Sequence, residues 1–548
     1  KVKNTYSGIQ LLTSLAECNE KGETPLAIAI KSNYVFVVKE IIKFLINVPD
    51  NVEHQLKPTF VINQLLQQIP IKQLIDTLIH EQFNPKWLMF ISKIIIESNS
   101  LTQEDKIILL EVFGAALITR LCLGNFDEGD LEEALCGLEC WREAMSLRYF
   151  PTEDGDDSLP KLPNVHVPSV LSSVIFGSAV EVATREELDL LQQDFERNYL
   201  TDVGMRIPCV KRMVIQALLV VRRISAQEHL GHPHWFYLQS LLDLAGFFRE
   251  FEDRFHIKIY LFILEELNGF DPNLFSLRSF ELFITTLRLV SYHFVSYLTV
   301  PSNSPEGRDL NYANLLMITK LSTKIQFNHP YFENSANTTI EKTLRVNILV
   351  YQLVFILDSI SSRMTSEEQL KLEKLYCDFF RDFPERTTTV LHGAVLNIWD
   401  STNYERLQTI QRLLQFGADP NAIDENGRNP LHFLAKWTQF NDMDESVPFF
   451  QVLLDAGAHL DVATDDGKTV LCILKENFEG KVHPYFESLI NSALPLSCYC
   501  VRVIRRHGVP FEDRLSPRLK KLISIHNAIE ASIDLHQPRP GSCSNYST

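Results

Sequence analysis

One short pattern recurs three times near the end of this 548-residue chain, always 40 residues apart. It consists of a polar residue, a valine or proline, a leucine and then histidine or cysteine, and it begins at residues 389, 429 and 469. Leucine pairs, a glycine–alanine step and a further glycine recur between the copies with the same spacing. A unit of this length cannot bury its own apolar face, so consecutive copies are expected to stack into a helical-repeat solenoid.

The copies resemble the Thr-Pro-Leu-His turn of ankyrin repeats. In that turn the first residue caps a helix with its side chain, and a glycine ends the second helix of the unit. The ankyrin period is ~33 residues, so each unit here has extra residues, which we place in 397–404 and 436–445. Residues 24–27 (Thr-Pro-Leu-Ala) begin one more unit near the start of the chain. We expect its upstream neighbours to lie outside this chain.

Residues from about 60 to 380 have apolar side chains at helical spacing and no convincing strand. The clearest helical segments are Leu131–Leu147, Glu186–Tyr199, Val210–Ser225, Pro233–Phe251, Phe280–Val300, Thr339–Ile360 and Ser366–Phe380. Together with the repeats, these segments predict an all-α fold.

Composition narrows the classes of partner and compartment. The chain has 52 Lys and Arg against 69 Asp and Glu, a formal net charge of −17, which argues against nucleic-acid binding. Its 10 cysteines lack metal-site spacing and are typical of free thiols in a reducing compartment, so we expect the cytoplasm and the nucleus. The most apolar window, Phe280–Val300, carries three ionisable residues, which favours a buried helix over a membrane span.

The chain contains no sequence motif of a common enzyme class. Gly-x-Gly-x-x-Gly, Walker, His-Glu-x-x-His and Gly-x-Ser-x-Gly sequences are all absent from it, so we expect no catalytic residue, cofactor or metal. His392 and His432 invite interpretation as a catalytic pair, but a histidine in this turn is expected to brace adjacent repeats. His232-Pro233-His234 is a candidate metal site, with a helix-entry turn as the favoured interpretation.

A short amphipathic helix is predicted between Pro495 and Ile504, and it ends at Gly508. One face carries Leu496, Cys500, Val503 and Ile504. On pattern alone, such a stripe is more often part of a core than an interface. The stretch nevertheless resembles an elongin-binding box, in which Ser, Thr or Pro precedes Leu, Cys or Ala follows four residues later, and an aliphatic residue follows after four more.

A second apolar stripe follows on a helix that Ser516 can cap and Pro517 can start. Its members are Leu515, Leu519, Leu522 and Ile523.

The order of the parts resembles the Fem-1 family of ubiquitin-ligase substrate receptors. In that family, ankyrin repeats are followed by a tetratricopeptide-like region, further ankyrin repeats and a terminal elongin/cullin box. The segments that carry the resemblance are Leu109–Ala115, Ala134–Leu135, Cys140–Tyr149, Val220–Ile224, Leu230–Pro233 and Leu522–His526. On this basis the domains are a partial ankyrin repeat (1–50), a helical-repeat region (51–385), ankyrin repeats (386–492), the box (493–530) and a disordered tail (531–548).

The resemblance implies a non-catalytic adaptor whose partners are elongin C with elongin B, cullin 2 with its RING subunit, and protein substrates that bear degrons, often at the carboxyl terminus. The elongin-binding residues would be Leu496, Cys500, Val503 and Ile504. The cullin-binding residues would be Leu515, Pro517, Leu519, Leu522 and Ile523.

In the family the proline directly follows the aliphatic residue, whereas here Ser516 intervenes between Leu515 and Pro517. An ankyrin and helical-repeat scaffold without ligase association is the alternative function. An enzyme with a dispersed site is the least favoured reading.

Overall fold

A computed structural model describes residues 14–15, 17–32, 34–48, 58–79, 85–149, 161, 169–226, 234–251, 255–301, 304–326, 329–332, 336–382, 390–395, 403–424, 426–437, 443–477, 483–491, 500, 503–504, 509–511, 514–516, 519–520 and 523. These residues form 23 α-helices, and their only β pairing is an isolated bridge between Ala463 and Thr469. The all-α prediction is therefore confirmed.

The chain divides into two compact units, Lys1–Phe270 with Leu274–Thr286 and Asp271–Asn273 with Leu287–Thr548. This division falls inside the predicted segment 51–385, so the boundaries between repeat types stay predictions. The tail 531–548 and most of the two predicted insertions, 397–404 and 436–445, lie outside the described residues.

The helices of the first unit pack mainly on near neighbours in the chain, as expected for a solenoid. They are α1 (Pro25–Lys31), α2 (Val35–Ile46), α3 (Pro58–Gln68), α4 (Ile71–Leu78), α5 (Pro85–Glu97), α6 (Gln103–Thr119), α7 (Glu128–Tyr149), α8 (Val170–Phe176), α9 (Arg185–Tyr199), α10 (Val203–Ala226), α11 (Trp235–Phe251), α12 (Phe255–Leu267) and the first part of α13 (Leu277–Tyr297).

Most predicted helices differ from the observed ones by a few residues, and α10 differs most. It begins at Val203, seven residues before the predicted start at Val210, and Pro208 lies inside it. The Asp202 side chain accepts a hydrogen bond from the Met205 N–H at 3.2 Å and so caps the helix. Because a proline within the first turns removes only one backbone hydrogen bond, the cap sets the start of the helix.

Two glycines let α6 and α7 approach closely in the first unit. A Cβ atom at Gly114 would lie 2.5 Å from Trp141 Cδ1, and one at Gly137 would lie 2.7 Å from the Gly114 carbonyl oxygen. The Trp141 Nε1–H donates to the Glu111 carbonyl oxygen at 3.0 Å. The two helices therefore meet backbone to backbone at this point, with the indole fixed beside the contact.

A buried ion cluster joins α6, α7 and α10. The Glu111 carboxylate accepts from Arg148 Nε at 3.1 Å and Nη2 at 2.9 Å, and from Arg223 Nη2 at 2.9 Å. Burial alone would raise the pKa of Glu111, but the charges of Arg223 and Arg148 outweigh burial and lower it. Removing any member would leave a buried charge uncompensated, so these three helices depend on one another.

An Asp76 carboxylate on α4 connects the amino-terminal helices to α11. It accepts from Trp235 Nε1 at 2.6 Å and lies 3.0 Å from His234 Nε2. His234 Nδ1 in turn accepts from the Phe236 N–H at 3.3 Å, in the first turn of α11. His234 thus sits at a helix entry, whereas His232 and Pro233 lie outside the described residues.

The first ankyrin-like turn is closed by a glutamine. Thr24 Oγ1 accepts from the Ala27 N–H at 3.3 Å and caps α1. The Gln68 side chain on α3 accepts from the Thr24 N–H at 3.0 Å and donates to the Gly22 carbonyl oxygen at 2.9 Å. Helix α3 therefore provides hydrogen-bond partners for the main-chain groups that the turn itself leaves unsatisfied.

In the second unit, the ankyrin helices stack on the corresponding helices of the next repeat. Besides the rest of α13, the unit contains α14 (Pro305–Asp309), α15 (Tyr312–Thr323), α16 (Ala336–Ile360), α17 (Ser366–Asp382), α18 (Val390–Val395), α19 (Asn403–Gln415), α20 (Pro430–Trp437), α21 (Met443–Asp455), α22 (Val470–Asn477) and α23 (Pro484–Asn491).

The glycine–alanine steps end helices α19 and α21 as predicted. Gly417 and Gly457 have φ of +102° and +90°, a conformation that favours glycine. The following N–H groups, of Ala418 and Ala458, donate to carbonyl oxygens five residues earlier at 3.0 and 2.9 Å. This is the bond that completes a Schellman cap.

One stretch of the described residues, Val346–Arg363, is long and apolar enough to cross a membrane. Of this stretch, 61% is buried inside the protein, and a packed core helix meets the same criteria.

The close approach of α6 and α7 predicts a strong effect of a single methyl group. Gly137→Ala should lower the free energy of unfolding by about 1–3 kcal/mol, because the added Cβ forces the two backbones apart. Urea unfolding followed by circular dichroism measures the change. The control is Gly246→Ala on α11, where an added Cβ meets no atom within 4 Å and should stabilise the helix by ~0.5–1 kcal/mol. Equal midpoints for the two variants would contradict the packing described here.

Candidate functional site: the carboxyl-terminal box

The first part of the predicted box is helical where the structure describes it. Cys500, Val503 and Ile504 lie in helical conformation. The Val509 N–H donates to the Ile504 carbonyl oxygen at 2.9 Å, and a bond over five residues is typical of a helix end. This bond agrees with the predicted stop at Gly508, which lies outside the described residues, as does Leu496.

The described part of this helix presents apolar side chains to solvent. The Cys500 side chain is exposed and Val503 is 55% exposed, whereas Ile504 is half-buried. Residues 500 and 503 are neighbours on a helical surface, so they form one small uncharged patch. A patch of this kind suits the apolar groove of another protein better than it suits a charged ligand.

The second stripe is divided between surface and core. The Lys520 N–H donates to the Ser516 carbonyl oxygen at 3.0 Å, which places the first helical hydrogen bond at the predicted start. Leu519 is 44% exposed and Leu515 is half-buried, but Ile523 is only 1% exposed. Ile523 therefore packs within the chain and cannot touch a partner unless the box opens, while Leu519 can.

The two remaining cullin residues, Pro517 and Leu522, lie outside the described residues. The assignment of the cullin site as a whole stays a prediction.

The repeat histidines brace neighbouring units rather than form a catalytic pair. His392 Nε2 lies 2.8 Å from the Arg428 carbonyl oxygen, and His432 Nε2 lies 3.3 Å from that of Lys468. His432 Nδ1 lies 3.1 Å from the Asn429 backbone nitrogen and 2.6 Å from the Asn429 Oδ1, so the ring is also held by the first residue of its own turn. Both rings are buried, and burial lowers the pKa of each to about 4.

Within the part of the chain that the structure describes, no three His, Cys, Asp or Glu side chains lie close enough together to hold a metal ion.

Comparisons with known proteins agree with this architecture. Residues 401–444 match the sequence family described as "Ankyrin repeats (many copies)". "Protein fem-1 homolog A" of Rattus norvegicus is 23% identical over 443 residues, which cover 78% of this chain and 58% of that protein. The human protein of the same name is 23% identical over 439 residues, covering 78% of this chain and 56% of its own length.

Over most of its length the chain is similar to Fem-1 proteins. It spans between half and two thirds of the length of these Fem-1 relatives. "Ankyrin repeat and SOCS box protein 6" of Pongo abelii is also similar, with 34% identity over 116 residues, or 18% of this chain and 27% of that protein.

The polar residues that organise the first unit were not predicted. None of Glu111, Arg223 or Gln216 was a candidate, although each lies inside an apolar run. A charge surrounded by Leu, Val and Ile on a predicted core helix is the signal that indicates a paired buried ion. The identity of the partner is not readable, because Glu111 and Arg223 are 112 residues apart.

The buried histidines predict acid sensitivity of the ankyrin stack. An unfolded histidine has a pKa near 6.5 and the folded ones a pKa of about 4, so the unfolded state binds more protons between these values. Stability should therefore fall as the pH drops from about 6.5 to about 4, by up to about 3 kcal/mol for each histidine.

Urea midpoints at pH 7 and pH 5 measure this loss in the wild type and in the double variant His392→Gln/His432→Gln. Since glutamine does not titrate, the double variant should lose less stability on acidification. An equal loss in both proteins would show that these rings do not govern the acid response.

Proposed function

We propose that this chain is the substrate-recognition adaptor of a cullin-RING ubiquitin ligase. Its box helix docks elongin C, which carries elongin B, and the following segment docks cullin 2 with its RING subunit. The observation that supports this proposal is the exposed apolar patch of Cys500 and Val503, at the positions where the sequence resembles an elongin-binding box.

Family resemblance and architecture give further support. Fem-1 relatives match 78% of the chain, and one similar protein is named for ankyrin repeats together with a SOCS box. In this chain, ankyrin helices that extend to Asn491 precede the proposed docking box in sequence.

The proposed mechanism is proximity without bond chemistry by the adaptor itself. A protein substrate bound through a degron would have its lysines held at high effective concentration near the ubiquitin-loaded enzyme. The chain then needs no catalytic residue, cofactor or metal, and it acts in the cytoplasm and the nucleus on proteins rather than on nucleic acid or membranes. The net charge of −17 favours basic surfaces on its partners.

A repeat scaffold without ligase association is the second candidate function. The burial of Ile523 favours it, since that part of the predicted cullin stripe already has partners within the chain.

Truncating the predicted anchor of the box tests elongin docking. Leu496→Ala should weaken binding of recombinant elongin B/C by about 2 kcal/mol or more, as for an interface hot spot, and Val503→Asp should weaken it further by placing a charge in an apolar contact. Isothermal titration calorimetry measures both affinities.

The matched control is Leu370→Ala, because Leu370 is a 65% exposed leucine on α17, outside the box. It should bind elongin B/C as the wild type does. Wild-type affinity of Leu496→Ala and Val503→Asp, with unchanged melting temperatures, would eliminate the adaptor proposal in favour of the scaffold.

Leu519, the exposed member of the second stripe, should contribute to the binding of cullin 2 and not to the binding of elongin. Leu519→Ala should reduce co-purification of cullin 2 by roughly tenfold, the effect of about 1.4 kcal/mol, and leave elongin B/C bound. Ile523→Ala should instead lower the melting temperature, because it leaves a cavity in the core. If Leu519→Ala lost elongin B/C as well, the assignment of Leu519 to the cullin interface would be wrong.

A further inference from the structure

The connection between α8 and α9 is held in place by side chains that bind its main chain. Gln216 on α10 donates from Nε2 to the Val180 carbonyl oxygen at 2.9 Å and accepts from the Val182 N–H at 2.8 Å. A carbonyl and the N–H two residues later point to the same side in an extended chain. The Tyr149 hydroxyl adds a bond to the Ala183 carbonyl oxygen at 3.2 Å.

One side chain of this connection enters a charged pocket. The Glu181 carboxylate accepts from Arg223 Nε at 2.9 Å and Nη2 at 2.9 Å, in a two-pronged contact. Lys161 Nζ lies 2.9 Å from the same carboxylate and also donates to the Val182 carbonyl oxygen at 2.7 Å. The preceding Val180 is 81% exposed. Glu181 thus anchors the connection, whereas the side chain at position 180 can vary because it faces solvent.

The receiving surface is built on rigid elements. Gln216 and Arg223 are seven residues apart on α10 and so share one helical face. Arg223 is fixed from its other side by Glu111, at 2.9 Å, so its guanidinium is already oriented for a carboxylate. The connection begins at Gly177, whose φ of +59° is a conformation that favours glycine.

Proteins recognise extended peptides through hydrogen bonds to the main chain and through pockets that bind particular side chains. Here the Gln216 amide bonds the main chain, and the Arg223 pocket binds one charged side chain. We propose that the face of α10 formed by Gln216 and Arg223, with Lys161 and Tyr149, is a peptide-recognition groove that residues 178–183 occupy in cis. The ligand it takes in trans is an extended segment of another protein with a glutamate in the place of Glu181.

The geometry selects a carboxylate of single charge. The fork of Arg223 matches the two oxygens of a carboxylate, and the nearby Glu111 carboxylate would repel an anion of higher charge. Because the cis segment competes at high effective concentration, a trans ligand binds strongly only when residues 178–183 are released. The groove lies on the first unit, so this inference holds whether or not the box binds elongin.

The test weakens the cis segment and leaves the groove intact. The full chain carrying Glu181→Ala is titrated against a fluorescein-labelled peptide with the sequence of residues 177–184 (Gly-Ser-Ala-Val-Glu-Val-Ala-Thr), and binding is followed by fluorescence anisotropy. We expect at least tenfold tighter binding to Glu181→Ala than to the wild type. The same peptide with glutamine in place of glutamate should bind at least tenfold more weakly than the glutamate peptide.

A matched pair of glutamine variants locates the binding surface. In the Glu181→Ala background, Gln216→Ala should abolish peptide binding, because it removes both main-chain bonds. Gln239→Ala, which removes a glutamine on α11 that bonds Asp243, should leave binding unchanged. Equal affinities of Glu181→Ala and the wild type for the peptide, or equal affinities of the glutamate and glutamine peptides, would overturn the proposal.

Hydrogen exchange of the wild-type chain provides a measurement that needs no variant to fold. Excess glutamate peptide should accelerate exchange of the Val182 N–H, since the trans peptide displaces the cis segment from Gln216. The glutamine peptide should have no such effect. Val182 exchange that is unaffected by millimolar glutamate peptide would show that residues 178–183 are a fixed structural connection and would overturn the proposal.

Discussion

Three ankyrin turns in the described part of this protein, at residues 24, 428 and 468, bond to a polar side chain of a neighbouring element. His392 and His432 reach the carbonyl oxygens of residues 428 and 468, both 36 residues further along the chain. At the amino-terminal end, Gln68 plays the same part for the turn that contains Thr24. A single unit would leave these main-chain groups unsatisfied in its core, so stacking is a condition for folding rather than a consequence of it.

The local features of this fold were readable from the sequence because their causes are local. The capping threonine at residue 24 and the glycines at 417 and 457 each act within one turn, and the structure has them as predicted. The predicted start of α10 at Val210 was wrong, because the Asp202 side chain caps a helix that begins at Val203 and includes Pro208. The buried ion cluster was not predicted because its members come together only when three helices pack.

The same limit applies to the candidate site. Helical periodicity placed Val503, Leu519 and Ile523 on apolar stripes, and the stripes alone gave no reason to separate them. The structure separates them by burial: two are exposed and Ile523 is enclosed. Which residues of a stripe remain available to a partner depends on how the stripe packs against distant parts of the chain, and no short-range pattern contains that information.

The amide of Gln68 has a consequence for the order in which the protein comes apart. A glutamine has no ionisable proton, so the joint between α1 and α3 is the same in neutral and in mildly acidic solution. The later joints rely on imidazoles that must stay uncharged. As the pH falls, the carboxyl-terminal repeats would unfold while the first repeat remained folded.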